Sequence, residues 1–119
     1  MKIEVTKKFT FEAAHSLPKH DGKCKGVHGH SYILEVTISG EIIKDGPKEG
    51  MVMDFGDLKA IVNAEILSKW DHAYLNDIVP FTPTLENLSA EAFTILKKHL
   101  PISKIKMWET ATSFAEITE

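Results

Sequence analysis

Two stretches of alternating polar and apolar residues constrain the fold of this chain most strongly. Between residues 2 and 15 the apolar side chains occupy almost only odd positions, and between residues 31 and 42 almost only even positions. A period of two is typical of a β-strand that buries one face. Residues 16–27, between the two stretches, are polar and lack helical periodicity, which favours an antiparallel pair over a crossover connection.

Two helices are predicted after this pair of strands. Asp54 is a suitable N-cap for a helix that runs to about Lys69, with apolar residues spaced along one face. Thr84 can cap a second helix that ends near Leu100, because Pro101 cannot continue it.

Residues 103–109 and 113–118 are short and alternate, as strands do. The order β-β-α-α-β-β predicts an α+β fold, with a four-stranded antiparallel sheet and two helices on one face. A length of 119 residues predicts a single domain over residues 1–119.

Charge and cysteine content disfavour several classes of protein. The net charge is −3, and all 14 basic residues are lysines. This composition disfavours a duplex-DNA reader, which normally carries a basic stripe that includes arginine. Cys24 is the only cysteine, so no internal disulfide can form, as is usual in a reducing compartment. The N-terminus has neither a signal-peptide core nor a membrane span. We therefore expect a soluble, cytoplasmic protein without a nucleic-acid or membrane partner.

Three histidines fall on the apolar registers of the predicted strands. His15 ends the first strand, and His28 and His30 begin the second, with Gly29 between them. Side chains at positions i and i+2 of a strand point the same way, and an antiparallel pair brings the end of one strand beside the start of the next. Unrelated histidines are the simpler explanation for any one of them. Their convergence predicts a metal site, with Zn²⁺ as the leading candidate, because three protein ligands and an open position are typical of catalytic zinc.

Cys24 is a candidate for chemistry beside this site. It lies close to His28 in sequence and between Lys23 and Lys25, and cationic neighbours favour the reactive thiolate form of a cysteine. It could act as nucleophile, as base or as a fourth metal ligand. In the last case the site would be closed and structural, and the protein would be a non-enzymatic zinc module.

Two further positions carry candidate groups. Glu109 continues the apolar register of Ile105 and Met107, so its carboxylate either binds a partner or ligand or reaches solvent at the strand end. Asp71 and His72 follow the first helix, and an adjacent Asp–His pair is by itself weak support for an oriented imidazole base.

Six short motifs follow one another along nearly the whole chain: F-x-A-A-H at Phe11–His15, C-x-x-x-H-G-H at Cys24–His30, V-M-D-F at Val52–Phe55, D-H-x-x-L-N at Asp71–Asn76, P-T-x-E-N at Pro83–Asn87 and W-E-T at Trp108–Thr110. In this order they resemble the 6-pyruvoyltetrahydropterin synthase superfamily, most closely its 6-carboxytetrahydropterin synthases. The implied fold is the tunnelling fold (T-fold), in which sheets of several protomers join into a barrel. The implied assembly is a homohexamer built as a dimer of trimers.

The resemblance also implies roles for the candidate residues. His15, His28 and His30 would hold a catalytic Zn²⁺, and Cys24 would accept a proton. His72, oriented by Asp71, would be the proton-relay partner and could serve a neighbouring subunit.

Substrate contacts are implied in the same way. Glu109 would anchor the pterin ring, and Thr84 and Glu86 would line its pocket. Lys25, with the lysines near it, would offer positive charge to a triphosphate.

The implied activity is a zinc-dependent lyase. It would convert 7,8-dihydroneopterin triphosphate to 6-carboxytetrahydropterin, with release of acetaldehyde and triphosphate, on the route to queuosine. The alternative within the superfamily is a 6-pyruvoyltetrahydropterin synthase. The gap of three residues between Cys24 and His28 matches the carboxy-forming group.

Overall fold

The computed structural model describes residues 1–119 and is built around two long paired strands. Strand β1 covers Ile3–His15 and strand β2 covers His28–Gly40. They pair antiparallel without a break, from Ile3 opposite Gly40 to His15 opposite His28. The alternation in the sequence therefore predicted both the strands and their pairing.

The complete sheet has five strands in the order β3-β1-β2-β4-β5. Strands β4 (Ile102–Thr110) and β5 (Ser113–Thr118) continue the antiparallel ladder beyond β2. Strand β3, Ala73–Tyr74, pairs parallel to the end of β1. The predicted α+β fold and the four antiparallel strands are confirmed. The fifth strand was not predicted, because two residues are too few to show any periodicity.

The helices begin at the predicted caps. A carboxylate oxygen of Asp54 accepts a hydrogen bond from the Gly56 N–H, and the Thr84 hydroxyl accepts one from the Asn87 N–H. The first helical segment changes from α to π and back to α, and a short helix that the sequence did not predict follows it. The helices are α1 (Phe55–Val62), a π-helical segment (Asn63–Leu67), α2 (Ser68–Trp70), α3 (Leu75–Ile78) and α4 (Leu85–Lys97).

The core lies between one face of the sheet and the helices. It is a single cluster of 21 buried residues, to which the sheet contributes the odd positions of β1 and the even positions of β2. Strand β2 ends at Gly40, so the expectation that Ile42 continues it is wrong. Ile42 belongs instead to a loop that a backbone hydrogen bond from Ile43 to Met51 closes, and its side chain is exposed.

Both outer edges of the sheet are open over most of their length. Strand β3 pairs with β1 only at Ala13 and Ala14, and Asp71 and His72 bind the backbone of Glu12, which leaves the outer edge of residues 3–11 without a neighbour; β5 has a neighbour only on its β4 side. None of the helices is both long and apolar enough to cross a bilayer.

Candidate metal centre and its cavity

His15, His28 and His30 converge at the end of the β1–β2 ladder. One ligand nitrogen from each ring lies within 4.8 Å of the others. His15 and His28 are directly opposite each other in the ladder, and their Nε2 atoms are 3.0 Å apart. The strand register alone produces this cluster.

Backbone carbonyls fix the tautomers of two of these rings. His15 Nδ1 lies 2.8 Å from the Pro83 carbonyl oxygen, and His28 Nδ1 lies 2.9 Å from that of Gly26. A carbonyl oxygen can only accept, so each Nδ1 carries the proton and each Nε2 presents a lone pair. Two lone pairs 3.0 Å apart repel each other unless a cation lies between them.

The ring of His30 also indicates a cation between the three imidazoles. His30 Nε2 is buried and has no hydrogen-bond partner. A buried polar atom left unsatisfied costs about 1–3 kcal/mol, and a metal ion would remove that cost. Burial lowers the pKa of His30; Glu109 opposes this shift, and His15 and His28 add to it. A neutral imidazole is the form that binds metals, so the three residues fit a metal ion.

Tyr32 forms the buried floor of the cluster, a position that sequence reasoning missed. Its ring lies edge-on to His15 and His30 and stacks on Phe11, with 4.8 Å between the last two centroids. Its hydroxyl is 3.4 Å from His15 Nδ1. Burial and the nearby Glu109 carboxylate raise the pKa of Tyr32, so its hydroxyl stays neutral.

A cavity of about 590 Å³ opens beside the histidines. Four of the residues that the sequence singled out line it together with His15 and His28: Cys24, Thr84, Glu86 and Glu109. The half-buried Cys24 is not part of the group of converging ligand atoms. The Thr84 hydroxyl is partly engaged as the cap of α4. Lys25 is exposed and lines no cavity.

Glu109 lies at an irregularity of the sheet. Trp108 pairs with Phe114 and Thr110 pairs with Ser113, so Glu109 has no residue opposite it and forms a β-bulge. Its Oε2 is 3.8 Å from His15 Nε2. The Glu109 carboxylate therefore lies next to the histidine cluster and lines the same cavity.

His72, which follows Asp71, lines a different cavity, of about 480 Å³, which it shares with His30 but not with Cys24 or Glu109. His72 Nδ1 is 3.0 Å from Asp71 Oδ1, and the His72 side chain is 79% exposed. The hydrogen bond from the Glu12 N–H, followed by that from His72, lowers the pKa of Asp71.

The segment that carries Asp71 and His72 is fastened to the end of β1. The His72 N–H donates to the Glu12 carbonyl, and this places His72 in the left-handed region, with φ of 61°. Farther along, the Asn76 side chain accepts from the Ser16 N–H and donates to the Ser16 carbonyl, both at 2.9 Å. Asn76 stood in one of the motifs, but this function could not be predicted because the residues are far apart in sequence.

Comparison with known proteins supplies the family. The family model described as 6-pyruvoyl tetrahydropterin synthase matches residues 4–119. The chain belongs to this family. A relative from Haemophilus influenzae named 6-carboxy-5,6,7,8-tetrahydropterin synthase is 42% identical, and the match covers 98% of this chain and 99% of the relative. A relative of the same name from Synechocystis is 41% identical over 93% of this chain and 89% of its own length.

Solved structures agree with the assignment. The Caenorhabditis elegans 6-pyruvoyl tetrahydropterin synthase superposes with a TM-score of 0.87 at 27% identity, over 100% of this chain and 96% of the other. The resemblance predicted from the motifs is thereby confirmed, and so is the T-fold of the subunit. This member of the 6-pyruvoyl tetrahydropterin synthase family is an enzyme of pterin metabolism.

Proposed function

We propose that the protein is a zinc-dependent 6-carboxytetrahydropterin synthase. It converts 7,8-dihydroneopterin triphosphate to 6-carboxy-5,6,7,8-tetrahydropterin, with release of acetaldehyde and triphosphate, in the synthesis of queuosine and other 7-deazapurines. The observation that carries the proposal is the group of three converging imidazoles beside a cavity that also contains a thiol and a carboxylate. The names of the relatives that are 41–42% identical support the carboxy-forming reaction.

His15, His28 and His30 are the residues that would hold the zinc ion. Bound there, Zn²⁺ acts as a Lewis acid that acidifies the hydroxyl and C–H groups of the substrate side chain. The carbonyls of Pro83 and Gly26 keep the imidazoles of His15 and His28 in the required tautomer.

The remaining residues of the cavity divide the work of binding and proton transfer. The Glu109 carboxylate accepts two parallel hydrogen bonds from the amino and ring N–H groups of the pterin, and Thr84 and Glu86 border the same ring. The Cys24 thiolate takes a proton from the substrate side chain. Lys25 attracts the triphosphate from the exposed loop.

His72 acts on the site of a neighbouring subunit, with Asp71 as the residue that orients it. Within one chain His72 is exposed and lines a different cavity from Cys24. The open edges of β1 and β5 leave unpaired backbone groups that a second copy can pair with, which favours a homo-oligomer. A dimer of trimers is the assembly we propose.

The second candidate is a 6-pyruvoyltetrahydropterin synthase, which eliminates triphosphate without cleaving a carbon–carbon bond. The superposition on the Caenorhabditis elegans structure favours it. A structural zinc module is disfavoured, because the group of converging donor atoms contains three histidines and not Cys24, whereas a structural site has four protein ligands.

Product analysis tests the proposal. Zinc-loaded protein is incubated with 7,8-dihydroneopterin triphosphate, and mass spectrometry identifies the products. We expect 6-carboxytetrahydropterin and one acetaldehyde per turnover. A pyruvoyl product without acetaldehyde would establish the second candidate instead.

Two variants separate the roles of the residues. Cys24→Ala should retain zinc, measured by elemental analysis, and lose turnover, whereas loss of zinc would indicate a closed structural site. Mixing inactive Cys24→Ala and His72→Ala subunits under conditions of exchange should restore part of the activity. Failure of exchanged subunits to recover activity would contradict the placement of His72 in a neighbour's site.

A further inference from the structure

Ala115 is a small residue on β5 that borders the candidate active-site cavity. It lines this cavity together with His15 and Glu109 and is half-buried. Its partner in the ladder is Met107 on β4, which is fully buried. Residues directly opposite each other in an antiparallel pair point to the same face of the sheet, so the Ala115 methyl group faces the core side.

The row of paired residues that ends at Ala115 otherwise consists of large side chains. Phe9, Leu34 and Met107 pair in turn across β1, β2 and β4, and all three are buried. Phe9 lies an even number of positions before His15 on β1, so the row is on the face of the sheet that carries the histidines. A larger residue at position 115 would therefore extend the row into the cavity.

A carboxylate and an apolar side chain lie around the same space. Glu109 follows Met107 by two positions on β4, and its carboxylate lies next to the histidine cluster. Leu85, in the first turn of α4, lines the cavity and precedes the buried Leu88 by three positions, so it continues the buried face of that helix. A flat bicyclic ring has a polar edge and two apolar faces. Glu109 can bind the edge, and Ala115 and Leu85 offer apolar surface to the faces.

Pairing of the open β5 edge with a second copy would preserve this arrangement. Such pairing uses the backbone N–H and C=O groups of the edge strand, whereas the side chains point out of the plane of the sheet. Ala115 therefore keeps its position beside the cavity in the assembly proposed above.

We propose that Ala115 is a specificity-determining residue, because its small side chain leaves the space beside Glu109 that the bicyclic ring of the substrate occupies. This inference rests on the proposed function. It makes the size of residue 115 a determinant of which compounds fit the cavity, separate from zinc binding and proton transfer.

The test measures binding of unphosphorylated 7,8-dihydroneopterin to zinc-loaded protein by calorimetry. Ala115→Leu extends the side chain into the cavity and should raise the Kd by about tenfold or more, because the ring and the added atoms compete for one space. Ala115→Val is a smaller change that suits a strand, and it should raise the Kd by between about twofold and about tenfold. It decides the question if Ala115→Leu does not fold.

Ala111→Leu is the matched control. Ala111 is exposed in the turn between β4 and β5, so the same enlargement should leave the Kd at the wild-type value. Elemental analysis should find the wild-type zinc content in all three variants, and light scattering the wild-type mass.

Each result decides one question. A wild-type protein that does not bind 7,8-dihydroneopterin would contradict the proposed function and this inference together. Binding by the wild type with an unchanged Kd for the Ala115 variants would overturn only the role of Ala115. If these variants lose zinc or change their mass in light scattering, position 115 supports the metal site or a contact between copies, and the inference is wrong.

Discussion

Replacement of Asn76 by alanine should destabilise the metal-free protein by about 1–3 kcal/mol. The Asn76 amide makes two hydrogen bonds of 2.9 Å, one to the N–H and one to the carbonyl of Ser16. A typical hydrogen bond contributes about 0.5–1.5 kcal/mol net, so two contribute about 1–3 kcal/mol. Ser16 is only 6% exposed, which prevents water from replacing the lost partners easily.

Urea denaturation at a fixed protein concentration measures this loss as a lower transition midpoint with an unchanged slope. Asn76→Asp keeps the acceptor for the Ser16 N–H but places a carboxylate oxygen against the Ser16 carbonyl, so we expect at least as large a loss at neutral pH. Asn63→Ala is the control, because Asn63 is an exposed asparagine. A change below about 0.5 kcal/mol for Asn76→Ala would refute the argument that these two bonds hold the segment to β1.

Three further predictions concern the metal, a helix cap and pH. Zinc at about one hundred times its Kd should raise the free energy of unfolding by about 2.7 kcal/mol. His30→Ala should abolish most of this gain in the same urea denaturation assay, and an undiminished gain would contradict the metal site. Thr84→Ala removes the helix cap that accepts a hydrogen bond from the Asn87 N–H and should lower the free energy of unfolding by about 0.5–2 kcal/mol. A melting temperature equal to that of the wild type would contradict this prediction. The pKa of Asp71 is lowered in the fold, so the unfolded chain takes up this proton at a higher pH than the folded chain does. The stabilisation from Asp71 should therefore be complete above the ordinary pKa of about 3.8 and be lost as the pH falls through the lowered value. Hydrogen exchange should show a larger loss of protection of the Glu12 amide on acidification in wild type than in Asp71→Asn; equal acid sensitivity of the two would count against it.

The strands and the histidine cluster could be predicted from the sequence because both follow from one local rule. Alternation places His15, His28 and His30 on the buried face, and antiparallel pairing brings them together. The caps Asp54 and Thr84 were predictable for the same reason, since a cap acts on residues only two or three positions away.

The segment after the first helix could not be predicted in this way. Strand β3 and helix α3 are too short to have a period, and they form where distant partners fix the backbone. Asn76 binds Ser16 and Asp71 binds Glu12, contacts that span about sixty residues of sequence. For this reason the sequence indicated that Asp71 and His72 were candidates but not that His72 lines a separate cavity.

The left-handed backbone of His72 carries a consequence for how this chain could evolve. Glycine adopts such a conformation without steric cost, whereas a residue with a Cβ is destabilised there by about 1 kcal/mol. A change of His72 to glycine would thus relieve the backbone and at the same time delete the imidazole. Selection for stability alone would favour glycine at this position, whereas the proton relay that we propose needs the imidazole of His72.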